Sequence, residues 1–172
     1  MLTKGLRVVF CGSAAGNVSA RRAAYYAHPQ NRFWPTLFEV GLTPRQMAPA
    51  EYPSMPAYGL GLTDLCKTAS GGDAELPADA DDPSALDMKI RRYAPAILAF
   101  VGKRPAQVFS RRLLDRRAVE YGWQPASIGK TRLFVLPSPS PAAIRYWDIA
   151  WWRMLAEAAR RPADGTGRTG AE

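Results

Sequence analysis

Two short segments of this 172-residue chain concentrate the residues able to do chemistry. The first starts with the apolar run Val8-Val9-Phe10-Cys11 and turns through Gly12-Ser13-Ala14-Ala15-Gly16. It continues into Tyr25-Tyr26-Ala27-His28-Pro29-Gln30-Asn31-Arg32-Phe33-Trp34. The second, Pro137-Ser138-Pro139-Ser140-Pro141, follows the apolar run Leu133-Phe134-Val135-Leu136. An apolar run ending in a Gly-X-X-X-Gly turn reads as a buried strand that hands its loop to the carboxyl edge of a sheet. Open α/β folds bind their ligands at that edge. The candidate polar groups of the first segment are Asn17, His28 and Asn31. Asn31 either places water or caps the helix that begins near Phe33, since asparagine is a strong capping residue. Asn17 reads as a turn residue with a chemical role as its alternative. His28, beside Pro29, either moves a proton or orients the loop.

Several common chemistries are excluded. No Gly-X-Ser-X-Gly elbow is present, which removes a Ser-His-Asp hydrolase of that type. The first turn lacks the Gly-Lys-Ser/Thr ending of a phosphate-binding P-loop. A single histidine rules out a multi-histidine zinc site. Two cysteines, Cys11 and Cys66, make neither a disulfide framework nor a four-cysteine metal site. Cys11 belongs in the core, and a reducing cytoplasm is the expected compartment. No apolar run approaches the about 18 residues that span a membrane, and the N-terminus lacks the pattern of a secretory signal.

Lys plus Arg number 23 against 15 Asp plus Glu, a net charge of +8. Such a surface favours polyanions, because neutralising phosphates releases counterions; a merely soluble basic surface is the competing reading. Arg21-Arg22 suggests a phosphate contact or a basic flap. Lys103-Arg104 and Arg111-Arg112 through Arg116-Arg117 either track a nucleic-acid backbone or form a solvated helix face.

The elements that must position these groups follow from hydrophobic periodicity. Strands are expected at residues 6–11, 96–101, 119–124 and 133–136. Residues 12–30 read as a long functional loop, and 58–65, Tyr-Gly-Leu-Gly-Leu-Thr-Asp-Leu, as a second loop approaching the same edge. Helices are expected at 31–41 (ended by Gly41), 84–93, 104–114 and 142–160, with a short one in 44–56. Trp147, Trp151 and Trp152 of the last helix belong in the core. Residues 70–83 read as a mobile loop and 162–172 as a disordered tail, leaving one domain over 1–161. Alternating strands and helices imply an α/β fold: a three-layer α/β/α sandwich around a short, mainly parallel four-stranded sheet.

The segment from Val8 to Trp34 resembles the first motif region of the uracil-DNA glycosylase superfamily, closest to its mismatch-specific uracil/thymine and hypoxanthine-excising branches. The resemblance extends over about residues 6–155 and is strongest in 8–42. It implies that Tyr26 stacks on an extruded base, with Tyr25 packing at the rim. It places Ala14 where the family turn, Gly-X-Asn/Asp/Glu-Pro-Gly, carries its water-positioning residue, so catalysis either moved or was lost. Asn31, Asn17 and His28 are the replacement candidates. Gly12, Ser13 and the main-chain amides of the turn would meet the base. Ser138 stands where the family's His or Asn contacts a base carbonyl, and a hydroxyl can donate one such bond. Ser140 and the backbone after it would hold phosphate, while Ile144 and Arg145 would enter the gap left by the base. The implied activity is a monofunctional DNA glycosylase removing uracil, or alternatively hypoxanthine or mismatched thymine. It would act on DNA as a monomer, without metal or other cofactor. The alternative is a damaged- or abasic-DNA-binding module without turnover; a nucleoside hydrolase is more distant.

Overall fold

A computed structural model describes residues 1–66, 68–71, 75–77, 79–115 and 118–160. Five strands form one sheet in the order β2-β1-β3-β5-β4. They are β1 (Val8–Gly12), β2 (Leu60–Asp64), β3 (Ile97–Val101), β4 (Gly122–Ile128) and β5 (Thr131–Leu136). The first three and β5 run parallel, and β4 pairs antiparallel with β5 across the two-residue turn at Gly129 and Lys130. The expected α/β class is therefore present, with five strands in place of four.

The added strand is β2, which lies inside the segment expected as a loop. Its glycines suggested an open turn, but Gly61 is a close-packing position. A Cβ there would stand 2.6 Å from Leu6 Cδ1 and 3.0 Å from the Met1 carbonyl. Every residue of β2 is buried, Leu60 and Leu62 fully, and each pairs with β1 from Val8–Leu60 to Gly12–Asp64.

Side chains alternate across the pleat, so the sheet buries one set on each face. Val8, Phe10, Leu60, Leu62, Ala99 and Phe134 meet helices α2 (Phe33–Glu39) and α5 (Ile149–Arg160). Val9, Cys11, Leu98, Phe100, Leu133 and Val135 meet α3 (Pro83–Tyr93) and α4 (Lys103–Leu113). Cys11 is fully buried, as its apolar surroundings imply. Trp152 is buried too and donates its indole N–H to the Pro137 carbonyl, while Trp147 and Trp151 are only half-buried.

Two other expectations need correction. The loop 12–30 contains a short helix, α1 (Asn17–Arg22), closed by Ala23 in the left-handed region. The single helix expected at 142–160 is divided into a 3₁₀ segment, Pro141–Tyr146, and α5. Asp148 explains the restart: its carboxylate accepts from the Ala150 N–H at 2.8 Å, a local capping bond. The segment expected as a short helix in 44–56 is a 3₁₀ helix, Pro49–Tyr58, kept from α geometry by Pro53 and Pro56. Parts of the expected mobile loop 70–83, the pair Arg116-Arg117, and the tail 162–172 lie outside the described residues.

Candidate functional site

The strand order reverses between β1 and β3, because the chain leaves β1 toward β2 on one side and returns as β3 on the other. Such a switch point leaves a crevice outside the carboxyl ends of the strands. A cleft of about 780 Å³ lies there. Its walls come from the turn after β1, the end of β2 at Asp64, Gly102 and Lys103 after β3, and residues 138–143 after β5. Tyr26, His28 and Asn31 line it as well. The two segments singled out by sequence thus share one cleft. A backbone bond joins them directly, the Arg32 N–H donating to the Pro139 carbonyl at 3.0 Å.

The turn after β1 is held from outside. Leu65 N–H donates to Gly12 O at 2.9 Å, Cys66 N–H to Ser13 O at 2.7 Å, and Gly71 N–H to Ala15 O at 2.9 Å. Beyond α1, the Ser19 hydroxyl accepts from Ala27 N–H at 3.0 Å, and Arg22 Nη1 donates to Ala27 O at 3.3 Å. These bonds set the chain at Tyr26, whose φ of 51° is in the left-handed region. Its ring stacks on buried Phe33, with centroids 3.9 Å apart and planes 18° apart. Tyr25 packs edge-on against Tyr52 at 5.4 Å, and its carbonyl accepts from the Trp34 indole at 3.0 Å.

The two ends of Tyr26 differ. The residue is half-buried and faces the cleft, yet its hydroxyl is enclosed and has no hydrogen-bond partner. Burial, and then the charge of Asp64, push the phenol well above its ordinary range, so it stays protonated.

Asn31 Oδ1 accepts from Phe33 N–H at 2.9 Å, taking up an orphan donor of the first turn of α2. The backbone cap itself is Arg32, one residue later than the sequence suggested. This bond engages one lone pair of Oδ1, and the amide nitrogen carries the side chain's donors. His28 Nδ1 accepts from Gln30 N–H at 3.2 Å, so the neutral ring carries its proton on Nε2. Asn17 is exposed at the first position of α1 and lines the cleft, as does half-exposed Ala14.

Across the cleft, Ser138 Oγ accepts from Ser140 N–H at 3.3 Å, which leaves its own O–H to donate. Ser140 caps the 3₁₀ segment by accepting from Ala142 N–H at 3.4 Å. Arg21, Arg145 and Ile144 are exposed beside the cleft-lining residues and do not line it themselves. Arg145 lies over the Tyr146 ring at 4.9 Å, and Tyr146 does line the cleft. Arg22 is less available than expected, since it braces the loop.

Sequence reasoning assigned no role to Asp64, Tyr121 or Tyr146 and read Lys103 only as part of a basic stretch, yet all four line the cleft. Asp64 had a usable signal: a lone acid at the end of an apolar, alternating run is where a buried strand delivers a side chain to a sheet edge. Lys103 lies 4.8 Å above the Tyr121 ring and pairs with Glu120 at 2.8 Å, contacts that only the fold creates.

Residues 2–157 match the model of the uracil DNA glycosylase superfamily, and the chain belongs to that family. The fold is also similar to the solution structure of a Methanosarcina acetivorans protein described as a candidate uracil DNA glycosylase. The TM-score is 0.62 at 19% identity, over 93% of this chain and 94% of that one. Family membership makes DNA glycosylase chemistry the class of activity to which the cleft is suited. Among the described residues, no helix is long and apolar enough to cross a membrane.

Proposed function

We propose that this protein is a monofunctional DNA glycosylase that extrudes uracil, or alternatively hypoxanthine or mismatched thymine, and hydrolyses its N-glycosidic bond. The observation that carries the reading is the shared cleft: Tyr26, Asn31 and Ser138 face one space at the switch point of the sheet. A flipped base needs an aromatic surface and polar groups at its edge. Tyr26 offers the ring, with its far side backed by Phe33. Cleavage places positive charge on the sugar and negative charge on the departing base. Donors fixed before reaction stabilise that anion without reorganisation. The Ser138 hydroxyl and main-chain amides of the 12–17 turn are the donors assigned this task, and Asn31, through its amide nitrogen, or Asn17 places the water that attacks the sugar. Exposed Arg21, Arg145 and Ile144 would hold the strand and fill its gap.

Ala14 favours one second reading, a recognition module without turnover, because a methyl group neither accepts a proton nor orients water. Oligonucleotides carrying uracil, hypoxanthine or a G·T mismatch separate the two. Alkali-labile strand breaks after incubation support the glycosylase. Lesion-dependent gel retardation with intact strands under alkali supports the module and overturns the enzyme.

A further inference from the structure

We infer that Tyr146 and Tyr121 form a second aromatic subsite, which holds the base next to the extruded one on the same strand. The substrate is then a stretch of at least two unpaired nucleotides. This inference rests on the reading of the cleft as a DNA site and adds a subsite to it.

The cleft is larger than one base needs. At about 780 Å³ it lies in the upper part of the range that encloses a whole drug-sized ligand, about 300–1,000 Å³. Its two ends are built on different strands. Tyr26 and Asp64 crowd over Gly12 at the end of β1 and make the floor on that side. Tyr121 directly precedes β4, whose first residue, Gly122, pairs with Val135 near the end of β5. Strand β4 lies three places from β1 in the sheet, about 14 Å at the usual spacing of about 4.8 Å per strand. A base stacked on Tyr26 does not cross that distance.

The far end carries rings and cations that the chemistry at Tyr26 does not use. Tyr146 lines the cleft and is 55% exposed, so its ring keeps surface for a ligand even with Arg145 above it at 4.9 Å. Tyr121 lines the same end, its ring under Lys103 Nζ at 4.8 Å, and Lys103 is tethered to Glu120 at 2.8 Å. Burial pushes the Tyr121 phenol above its ordinary range, Lys103 opposes this, and the Tyr146 phenol adds to the rise, which makes the two phenols neighbours. Aromatic rings set among cations are the makeup of single-strand sites, because every base offers a flat face for stacking. The ligand within reach is the adjoining nucleotide, tied to the extruded one by a phosphodiester. Its base must leave the duplex stack to enter a cleft wall, which costs least where it is unpaired.

The test uses short single-stranded oligonucleotides with a central uracil, in which the neighbour on one side, then on the other, is replaced by a tetrahydrofuran spacer without a base. Affinity is measured by fluorescence anisotropy for wild type, Tyr146→Ser, Tyr146→Phe and Tyr26→Ala, with folding checked by thermal melting. In wild type the spacer on one side should cost about fivefold to a hundredfold in affinity, the range for one stacked base, and the spacer on the other side much less. Tyr146→Phe, which keeps the ring, should keep that ratio. Tyr146→Ser should bring it close to one, while binding the spacer oligonucleotide as wild type does. Tyr26→Ala should weaken every oligonucleotide and keep the ratio. A duplex mispaired at the uracil and at that neighbour should bind more tightly than one mispaired at the uracil alone. A wild type indifferent to both spacers overturns the inference. So does a Tyr146→Ser variant that keeps the full ratio or weakens every oligonucleotide equally, a ratio lost in Tyr26→Ala, or equal binding of the two duplexes. Absence of base release counts against the glycosylase reading, while the affinity ratios still report on the second subsite.

Discussion

The Tyr26 ring lies flat on Phe33, centroids 3.9 Å apart, with its hydroxyl sealed and its body facing the cleft. One face of the tyrosine is thereby committed to the core, and the cleft side is the surface a base could use. The hydroxyl contributes nothing visible to the fold, because it has no partner.

Two substitutions separate these parts. Tyr26→Ala removes the stacking surface, worth about 1–3 kcal/mol per base, and should weaken binding to a uracil-containing oligonucleotide correspondingly. Tyr26→Phe keeps the ring and removes a buried, unsatisfied O–H. Its melting temperature should equal or exceed that of wild type, because no hydrogen bond is lost. A marked destabilisation on calorimetry would mean the hydroxyl is satisfied in solution.

Asn31 has two roles that chemistry can divide. Its Oδ1 accepts from Phe33 N–H, while its amide nitrogen is the donor proposed to place water. Asn31→Asp keeps the acceptor and discards the donor, so it should fold normally. Its base-release rate should fall by about 10²–10³, the usual cost of losing one such donor. Asn31→Ala should lose both, adding about 1 kcal/mol of destabilisation from the missing cap. Chemical denaturation and single-turnover rates, read together, check this. An Asp variant as active as wild type would rule out the amide donor and leave Asn31 only its acceptor roles, capping α2 or placing water.

The parts of the molecule legible in sequence were those where one local rule acted alone. The apolar runs at β1, β3 and β5 need burial on both faces, and nothing else competes for such residues. The two chemical segments were visible because each follows one of those strands. β2 was hidden because Gly59 and Gly61 carry two meanings, flexibility and close approach. Gly59 does have a left-handed φ of 68°, whereas Gly61 is pressed between Leu6 and the N-terminus. Only the neighbouring strand reveals which meaning applies. Asp64 shared that fate, its place in the cleft being set beside Gly12 and Tyr26, residues 52 and 38 positions away in the chain. The break between the 3₁₀ segment and α5 was similarly obscured by a helical pattern of tryptophans that runs across it.

The basic residues around the cleft differ in what they are free to do. Arg21 and Arg145 are exposed, whereas Arg22 donates to Ala27 O inside the loop. DNA affinity should therefore fall with salt on a logarithmic plot, by counterion release. Arg21→Ala and Arg145→Ala should each lower that slope by about one if each contacts a phosphate. Arg22→Ala should leave the slope nearer wild type and instead loosen the loop, read as faster proteolysis or amide exchange around Ala27. Fluorescence anisotropy at several salt concentrations supplies the slopes. Unchanged slopes for both Arg21 and Arg145 variants would move the strand to another face.

Two glycines of the first turn make opposite predictions from the same substitution. At Gly12 an added Cβ would meet Asp64 Oδ1 at 2.8 Å and the Tyr26 hydroxyl at 3.3 Å. Neither can retreat easily, since Asp64 ends a buried strand and Tyr26 is clamped on Phe33. Gly12→Ala should cost about 1–3 kcal/mol, typical of overpacking, and should reduce base release further by displacing the floor. At Gly16 nothing lies within 4 Å of the added carbon, and its φ of −64° suits alanine. Gly16→Ala should stay within about 0.5 kcal/mol of wild type, as surface substitutions usually do. Urea denaturation of the two variants gives the comparison. Equal stabilities would show that the carboxylate and phenol stand farther from the turn than this geometry places them.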